Sequence, residues 1–190
     1  MNYTQYNTER NNKIIICGLG QSLQSNSEII QYSGIDTFGI NDCNKYLPTK
    51  YLICVNEEST FPNRWEWIYN SDSQFIFSQL NLKIKNENNL IKFPLGTRDE
   101  INLDKPEIDF SWDSPFMATI LAHKMGYNQI GLIGTDLKDH RLTKYLDRIV
   151  PKYFHLQKEL NSKGTSLFNL SPNSQLTEIP QMNLIDFIKK

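Results

Sequence analysis

The 190-residue chain has no apolar run near the ~20 residues that a membrane-crossing helix needs, and its first residues lack a signal-peptide core. Charge of one sign is also missing. Twenty Lys and Arg against 21 Asp and Glu leave a net charge of −1, which gives no general pull toward nucleic acid or acidic membranes. Cysteine is scarce and odd in number. Cys17, Cys43 and Cys54 read as small buried hydrophobes in a reducing compartment, not as a disulfide frame or a zinc set. Hydrophobic residues make up 39%, below the roughly 45–50% of ordinary globular chains. Asn, Ser and Gln take their place, and with abundant Ile and Lys this points to AT-rich coding, a statement about codons only. Aromatics at 12% still argue for a folded core. The expectation is one soluble cytoplasmic domain, without internal repeats.

What is present centres on Lys13 to Leu23. Ile14-Ile15-Ile16-Cys17 is an apolar, β-branched run too short for a helix, and it suits a strand buried on both faces. Gly18 and Gly20 end it, and Gln21 to Tyr32 then reads as helical. Strand, Gly-x-Gly, helix aims backbone N–H groups and a positive helix end at an anion, usually phosphate. Gly20 is expected to let the backbone meet that phosphate through positive φ and the missing Cβ. The third glycine of a dinucleotide fingerprint is absent, its place held by Leu23. A plain strand-to-helix turn is the competing reading.

Further along, residues 1–12 read as a flexible arm, and 13–190 as one domain. Strands are predicted at Thr37–Ile40, Tyr51–Val55, Gln74–Ser78, Gln129–Ile133 and Leu167–Leu170. A short helix over Asn63–Tyr69 should turn Trp65 and Ile68 inward. Residues 80–110 are irregular and Asn-rich, with Ile91–Phe93 an edge-strand candidate, and read as an insertion over the ligand cleft. Ser114-Pro115 starts a helix, with Ser114 as N-cap, that Gly126 stops. Leu142 to Lys163 is helical with an interruption at Pro151, and 138–163 is a candidate lid. Leu184–Lys190 closes the chain. Strands alternating with helices predict an α/β, Rossmann-like, doubly wound and mostly parallel sheet with a small helical lid in the C-terminal half.

Ligands of such sheets bind beyond the carboxyl ends of the strands. Just past four strands stand Gly18/Gly20, Asn41/Asp42, Asn56/Glu57 and Gly134/Asp136. Each alone reads as a turn residue; their convergence on one edge points to a site.

These residues carry a resemblance. Gly18-Leu19-Gly20-Gln21-Ser22-Leu23 resembles the Gly-Asn-Gly-Pro-Ser-Leu that opens the bacterial CMP-sialic-acid-dependent sialyltransferases. It is also similar to the related flagellin-associated proteins that include the archaeal 6-hydroxymethylpterin diphosphokinases. Phe38 to Asn41, Tyr51 to Asn56, the block from Ser114 through Met125-Gly126-Tyr127 to Gly134-Thr135-Asp136-Leu137, and Asn169-Leu170-Ser171-Pro172 match the same families. The similarity spans roughly residues 13 to 180, with a poorly matched middle. It implies a nucleotide or nucleotide-sugar on the glycine loop. Gly18, Gly20 and Ser22 would hold phosphate and ribose, and Asn41 and Asn56 would contact the donor. Ser114 would cap a helix beside the nucleotide, and Gly134, Thr135 and Asp136 would close the site. Leu19 replaces an asparagine that serves the nucleotide in the sialyltransferases, and Gln21 replaces a proline. Leucine cannot hydrogen-bond a base or ribose, so either the donor differs or catalysis is lost.

For glycosyl transfer the candidate bases are His140, just past Asp136, and His155, because an imidazole with a pKa of ~6.5 moves protons near neutrality. His123 reads as structural. Tyr145 and Tyr153 are candidates for steadying a leaving phosphate, as lid tyrosines do in the sialyltransferases, with helix packing the competing reading. A diphosphokinase would instead need Mg²⁺, with Asp42, Glu57, Glu58 and Asp136 as its carboxylates and Arg141, Lys138 or Lys144 facing phosphate. No other cofactor or metal is implied. A third class is a protein that binds a nucleotide-derived ligand without turnover, as Leu19 would suit. The expected partner is the nucleotide or nucleotide-sugar, not nucleic acid or membrane, and self-association into a homo-oligomer is left open.

Overall fold

The structure is a computed structural model, and it describes residues 1–138 and 142–189. Its first strand, β1 (Lys13–Cys17), has every residue after Lys13 buried, because both of its faces are covered. The chain continues through the short helices α1 (Gln21–Gln24) and α2 (Ser27–Gln31) to β2 (Asp36–Ile40) and β3 (Tyr51–Ile53). Then come α3 (Trp65–Tyr69), β4 (Phe75–Ser78), β5 (Leu90–Lys92), β6 (Leu95–Arg98) and β7 (Ile108–Phe110). The second half holds α4 (Ser114–Lys124), β8 (Gln129–Ile133), α5 (Leu146–Ser162), β9 (Ser166–Asn169) and α6 (Leu184–Lys189).

Seven strands form one all-parallel sheet in the order β5-β4-β3-β2-β1-β8-β9. From β1 the chain winds outward in one direction as far as β5, and on its return it places β8 against β1's other edge. That reversal is the topological switch point, and it opens a crevice at the carboxyl ends of β1 and β8. The fold is therefore the expected doubly wound α/β sheet, with a helical segment from Thr143 to Ser162 in its C-terminal half.

Alternate residues of β1 feed different cores, as pleating requires. Ile14 and Ile16 join the large cluster under α4 and α5, while Ile15 and Cys17 join a smaller one with Leu23, Ile30 and Phe187. Helix α4 is buried from Pro115 through Ala122 because the sheet covers one side and β7 the other. Such enclosure explains why its apolar residues run all round. Helix α5, in contrast, buries one stripe, Ile149, Tyr153, Leu156 and Leu160, at helical spacing. On the far side α3 seats Trp65 and Ile68 against Leu52 and Ile76, as its Trp-rich sequence suggests.

Local differences from the sequence expectation have physical causes. The helical stretch after Gly20 divides into α1 and α2 at Ser25–Asn26, where Asn26 donates to the carbonyl of Ser22 instead of continuing the helix. Pro151 sits inside α5 without ending it. Residues 80–110 contain more order than their polarity suggests: β5 is the sheet edge, and β6 pairs with β7 in a second small sheet. The buried carboxylate of Asp109 organises that segment, accepting from the amides of Thr97 (2.9 Å) and Asn102 (2.8 Å) and pairing with Lys105 at 2.6 Å. The residues before β1, expected as a loose arm, pack down. Tyr3 is buried and donates to the carbonyl of Pro106 (3.1 Å), and Tyr6 lies edge-on to Phe75 and Phe77. All three cysteines are buried free thiols, and burial pushes that of Cys54 up to about 11.

At the amino edge of the sheet the polar groups are saturated. Tyr127 donates to Asp36 Oδ2 (2.5 Å) and lies 3.0 Å from Tyr51 Oη; Lys50 pairs with Asp36 Oδ1 at 2.8 Å, and Tyr51 donates to the carbonyl of Tyr6. Burial, then the hydrogen bond to Asp36, drives the Tyr127 phenol far above its ordinary pKa, so it remains a donor. Tyr127→Phe should lower unfolding free energy by about 1–2 kcal/mol in urea titration, because a buried carboxylate loses a donor. Ligand binding at the opposite edge should not change.

Candidate functional site

The glycine loop after β1 and the turn after β8 are built against each other. Gly18 N donates to Ile133 O and Gly20 N to Gly134 O, both at 2.8 Å. A Cβ on Gly18 would lie 2.4 Å from Gly134 O, and one on Gly20 would lie 2.4 Å from Asp136 Oδ2. The space that glycine leaves at position 20 is thus filled by the neighbouring turn, not kept for phosphate. Nor does Gly20 need positive φ, since its φ is −71°. Left-handed backbone occurs instead at Asn41 (φ 52°), Gly134 (φ 70°) and Leu137 (φ 54°).

Asp136 holds the two loops together. Its Oδ2 accepts from Ser22 N at 2.9 Å, and its Oδ1 accepts from the Ser22 hydroxyl. The same hydroxyl accepts from Gly134 N (2.9 Å) and lies 2.9 Å from Ser171 Oγ. A carboxylate of the chain itself therefore takes the first-turn amide of α1 that the resemblance reserved for a ligand phosphate.

Around this tie opens a cleft of about 1010 Å³, at the upper end of the range for small-molecule sites. Gly18, Leu19, Gly20, Gln21, Ser22, Asn41, Asn56, Ser114, Gly134, Thr135 and Asp136, all expected from the sequence, line it together. Three enclosed polar atoms on its wall have no hydrogen-bond partner among the described residues: Asn41 Oδ1, Gln79 Oε1 and Thr135 Oγ1. Gln79 donates its amide N–H to the carbonyl of Val55 (2.8 Å), which leaves its oxygen turned to another use. A buried polar atom without a partner costs about 1–3 kcal/mol, and a ligand that supplies hydrogen-bonding partners recovers it.

Sequence reasoning missed Gln79, although it stands just past β4, where the rule that found Asn41 and Asn56 would have found it. It also missed Asp113. Ser114 is the first residue of α4 and not its cap; the cap is Asp113, whose Oδ1 accepts from Phe116 N at 3.2 Å. Tyr153 lies buried beneath, its hydroxyl donating to Asp113 at 2.9 and 3.1 Å. Asp113 touches the cleft as a residue, but its carboxyl is enclosed, and burial pushes its pKa up to about 6 against the pull of those two donors. Tyr145 stacks on Trp112 (4.6 Å, 21°), and Trp112 lines the cleft. Neither Tyr145 nor Tyr153 reaches the cleft wall itself. His155 is on the exposed face of α5 beside Phe154. His123 is half-buried against Thr165, its pKa lowered by burial. His140 and Arg141 lie outside the described residues.

The carboxylates considered for Mg²⁺ are not gathered. Asp42 is buried and pairs with Arg64 (3.2 Å), Asp136 is held by Ser22, and Glu57 and Glu58 are exposed. Among the described residues, no three His, Cys, Asp or Glu side chains are grouped to hold a metal ion. No described helix is long and apolar enough to cross a membrane.

Fold and crevice together define an open parallel α/β protein with a large cleft at the switch point. Solved structures similar to it include those of the sialyltransferase CstII from Campylobacter jejuni. The form in complex with the substrate analogue CMP-3FNeuAc aligns with a TM-score of 0.51 at 18% identity, over 90% of this chain and 84% of that one. The form with a trisaccharide acceptor and CMP aligns with a TM-score of 0.51 at 20% identity, over 90% and 85%. A point mutant of the same enzyme gives 0.52 at 17%, over 90% and 86%. This chain has a sialyltransferase-like fold. No family model matches the sequence, and no curated protein is similar to it by sequence.

Two substitutions test the geometry. Gly20→Val should cost about 2 kcal/mol of stability in urea unfolding, since its methyl groups would drive Asp136 from Ser22. Asp113 carries the opposite sign. Its folded pKa is raised, so the stability it contributes is present below about pH 4 and is lost as pH rises through about 6. Asp113→Asn keeps a capping oxygen and should be more stable than the parent by about 1–2 kcal/mol at pH 8, with the advantage gone at pH 4. Thermal midpoints across that range measure it.

Proposed function

We propose that this protein is a nucleotide-sugar-dependent glycosyltransferase whose donor lies in the cleft between the Gly18–Ser22 loop and the start of α4. The observation that carries the reading is the trio of enclosed, unpartnered polar atoms on the cleft wall, Asn41 Oδ1, Gln79 Oε1 and Thr135 Oγ1. A base edge or sugar hydroxyls would complete their hydrogen bonds. The fold shared with CstII, solved with CMP and with a CMP-sugar analogue, makes CMP-sugars the first donors to try.

In this reading the acceptor hydroxyl attacks the anomeric carbon, the nucleoside phosphate departs with the bonding pair, and a base takes the hydroxyl proton. Lys138, on the cleft wall, faces the departing charge. His140, two residues further on, is the candidate base. His155 sits on the wrong face of α5 for that task. Asp113 is enclosed, accepts from the Tyr153 hydroxyl and caps α4, so it helps position Ser114 and Trp112 on the cleft wall. The reaction needs no metal if the chain's own groups steady the leaving phosphate.

The alternative is a protein that binds the nucleotide-derived ligand without turnover. Leu19 favours it, offering the ligand an apolar contact where the sialyltransferases offer an amide.

A mixed panel of nucleotide-sugars, incubated with and without EDTA and separated by chromatography, distinguishes these. Release of nucleoside phosphate that EDTA does not stop is the expected result. Tight binding of an intact donor without release would select the binding protein, and release that depends on Mg²⁺ would select phosphotransfer chemistry. Asn41→Gly offers a second check. It removes an orphaned acceptor and suits a φ of 52°, so stability should stay within about 1 kcal/mol while nucleotide affinity falls about tenfold. An unchanged affinity by calorimetry would remove Asn41 from the site.

A further inference from the structure

Beside the cleft mouth, three cations crowd two aromatic rings. Arg98, at the end of β6, stands 4.5 Å over the Trp112 indole, and Arg148, in the first turn of α5, is 5.6 Å from the same ring and 6.0 Å from Tyr145. Lys144 lies 5.0 Å over Tyr145. Tyr145 stacks on the indole at 4.6 Å, so the ring is packed by an aromatic and approached by two guanidinium groups. All three cations are exposed, and among the described residues none has a carboxylate partner. Two of the acids nearby are otherwise engaged: Asp99 accepts from the Ser111 hydroxyl at 3.0 Å and Asp113 accepts from the Tyr153 hydroxyl, while Asp147 is exposed and makes no ion pair among the described residues.

A guanidinium stacked on an indole has its flat face satisfied, while its N–H fork in the plane remains free. That fork matches a carboxylate or a phosphate, two oxygens to two N–H groups. Two such forks converge here on one ring. Their location matters as much as their chemistry. Trp112, Leu95 and Lys138 belong to the cleft wall, while Arg98 and Arg148 stand outside it. A molecule lying in the cleft could therefore place an anionic group on the two arginines from the β6–β7 and α5 side.

We propose that the Arg98–Trp112–Arg148 stack docks the acceptor substrate, and that this acceptor carries a carboxylate or phosphate. This rests on the glycosyltransferase reading for the word acceptor, but the anion site itself does not. It assigns the transferase an acidic or phosphorylated saccharide as its second substrate, with the Trp112 ring as the surface on which that sugar lies.

Calorimetry with galacturonic acid, galactose 6-phosphate and galactose, each titrated with and without CMP present, tests the proposal. At least one anionic sugar should bind about tenfold more tightly than galactose, and the margin should shrink as salt rises. The two anionic arms distinguish carboxylate from phosphate. In R98Q/R148Q, which replaces two exposed side chains and should keep the parental thermal midpoint, the margin should vanish. Equal affinity for the three sugars, no binding by either anionic sugar, or a margin that survives R98Q/R148Q would overturn the anion site. Titration of CMP alone into the parent reads the donor cleft separately. CMP binding without an anionic margin leaves the glycosyltransferase reading standing and removes this one. A margin lost in R98Q/R148Q without any nucleotide binding does the reverse.

Discussion

The carboxylate of Asp136 on Ser22 is the contact on which the site depends. A doubly wound sheet gives its two central strands no reason to hold their following loops together, because each loop runs off toward its own helix. Here the β1 loop and the β8 turn are locked by two main-chain hydrogen bonds and by a carboxylate that reaches across the switch point. The two glycines of the loop follow from this. With any side chain at 18 or 20, the turn could not come close enough for Asp136 to reach the amide of Ser22. The Gly-x-Gly pattern is thus a packing requirement between two loops of one chain, and only through that a requirement of the ligand cleft.

This explains what the sequence could and could not show. Short apolar runs at Ile14–Cys17 and Ile130–Ile133, each closed by glycine, display a central parallel strand, and the polar residues after them display the edge on which the cleft opens. Asp113 was hidden because Ser114-Pro115 is itself a good helix start, and only the tertiary contact with Tyr153 decides which residue caps. Strands β6 and β7 were hidden for another reason. Their segment is polar, and much of its order comes from contacts that periodicity does not register: the buried carboxylate of Asp109, and the Lys124 ammonium donating to the carbonyls of Leu103 and Lys105. The orphaned oxygens are a matter of three dimensions altogether, since an asparagine past a strand looks the same whether its side chain is satisfied or not.

The two edges of the sheet differ in the state of their polar atoms. At the amino edge, Asp36, Lys50, Tyr51 and Tyr127 form a closed set in which each group has its partner. At the carboxyl edge, Asn41, Gln79 and Thr135 each bury an atom with no hydrogen-bond partner among the described residues. An unmet buried polar atom costs of order 1–3 kcal/mol, and a group entering the cleft that hydrogen-bonds to it would recover that cost.

Leu19 fits this distribution. Its side chain packs against the smaller core cluster beside Cys17 and Leu23 and also reaches the cleft, so it closes the floor of the loop as an apolar surface. With leucine there, and with the amide of Ser22 committed to Asp136, the glycine loop has little left with which to read a ligand's polar groups. Under the proposed function, polar recognition would then fall to the ends of β2 and β4, where Asn41 is held in a left-handed turn and Gln79 is oriented by Val55. In that reading the loop serves as an apolar floor and the neighbouring strand ends as the discriminating surface. The replacement at 19 would then move the task of recognition to another part of the cleft wall instead of abolishing it.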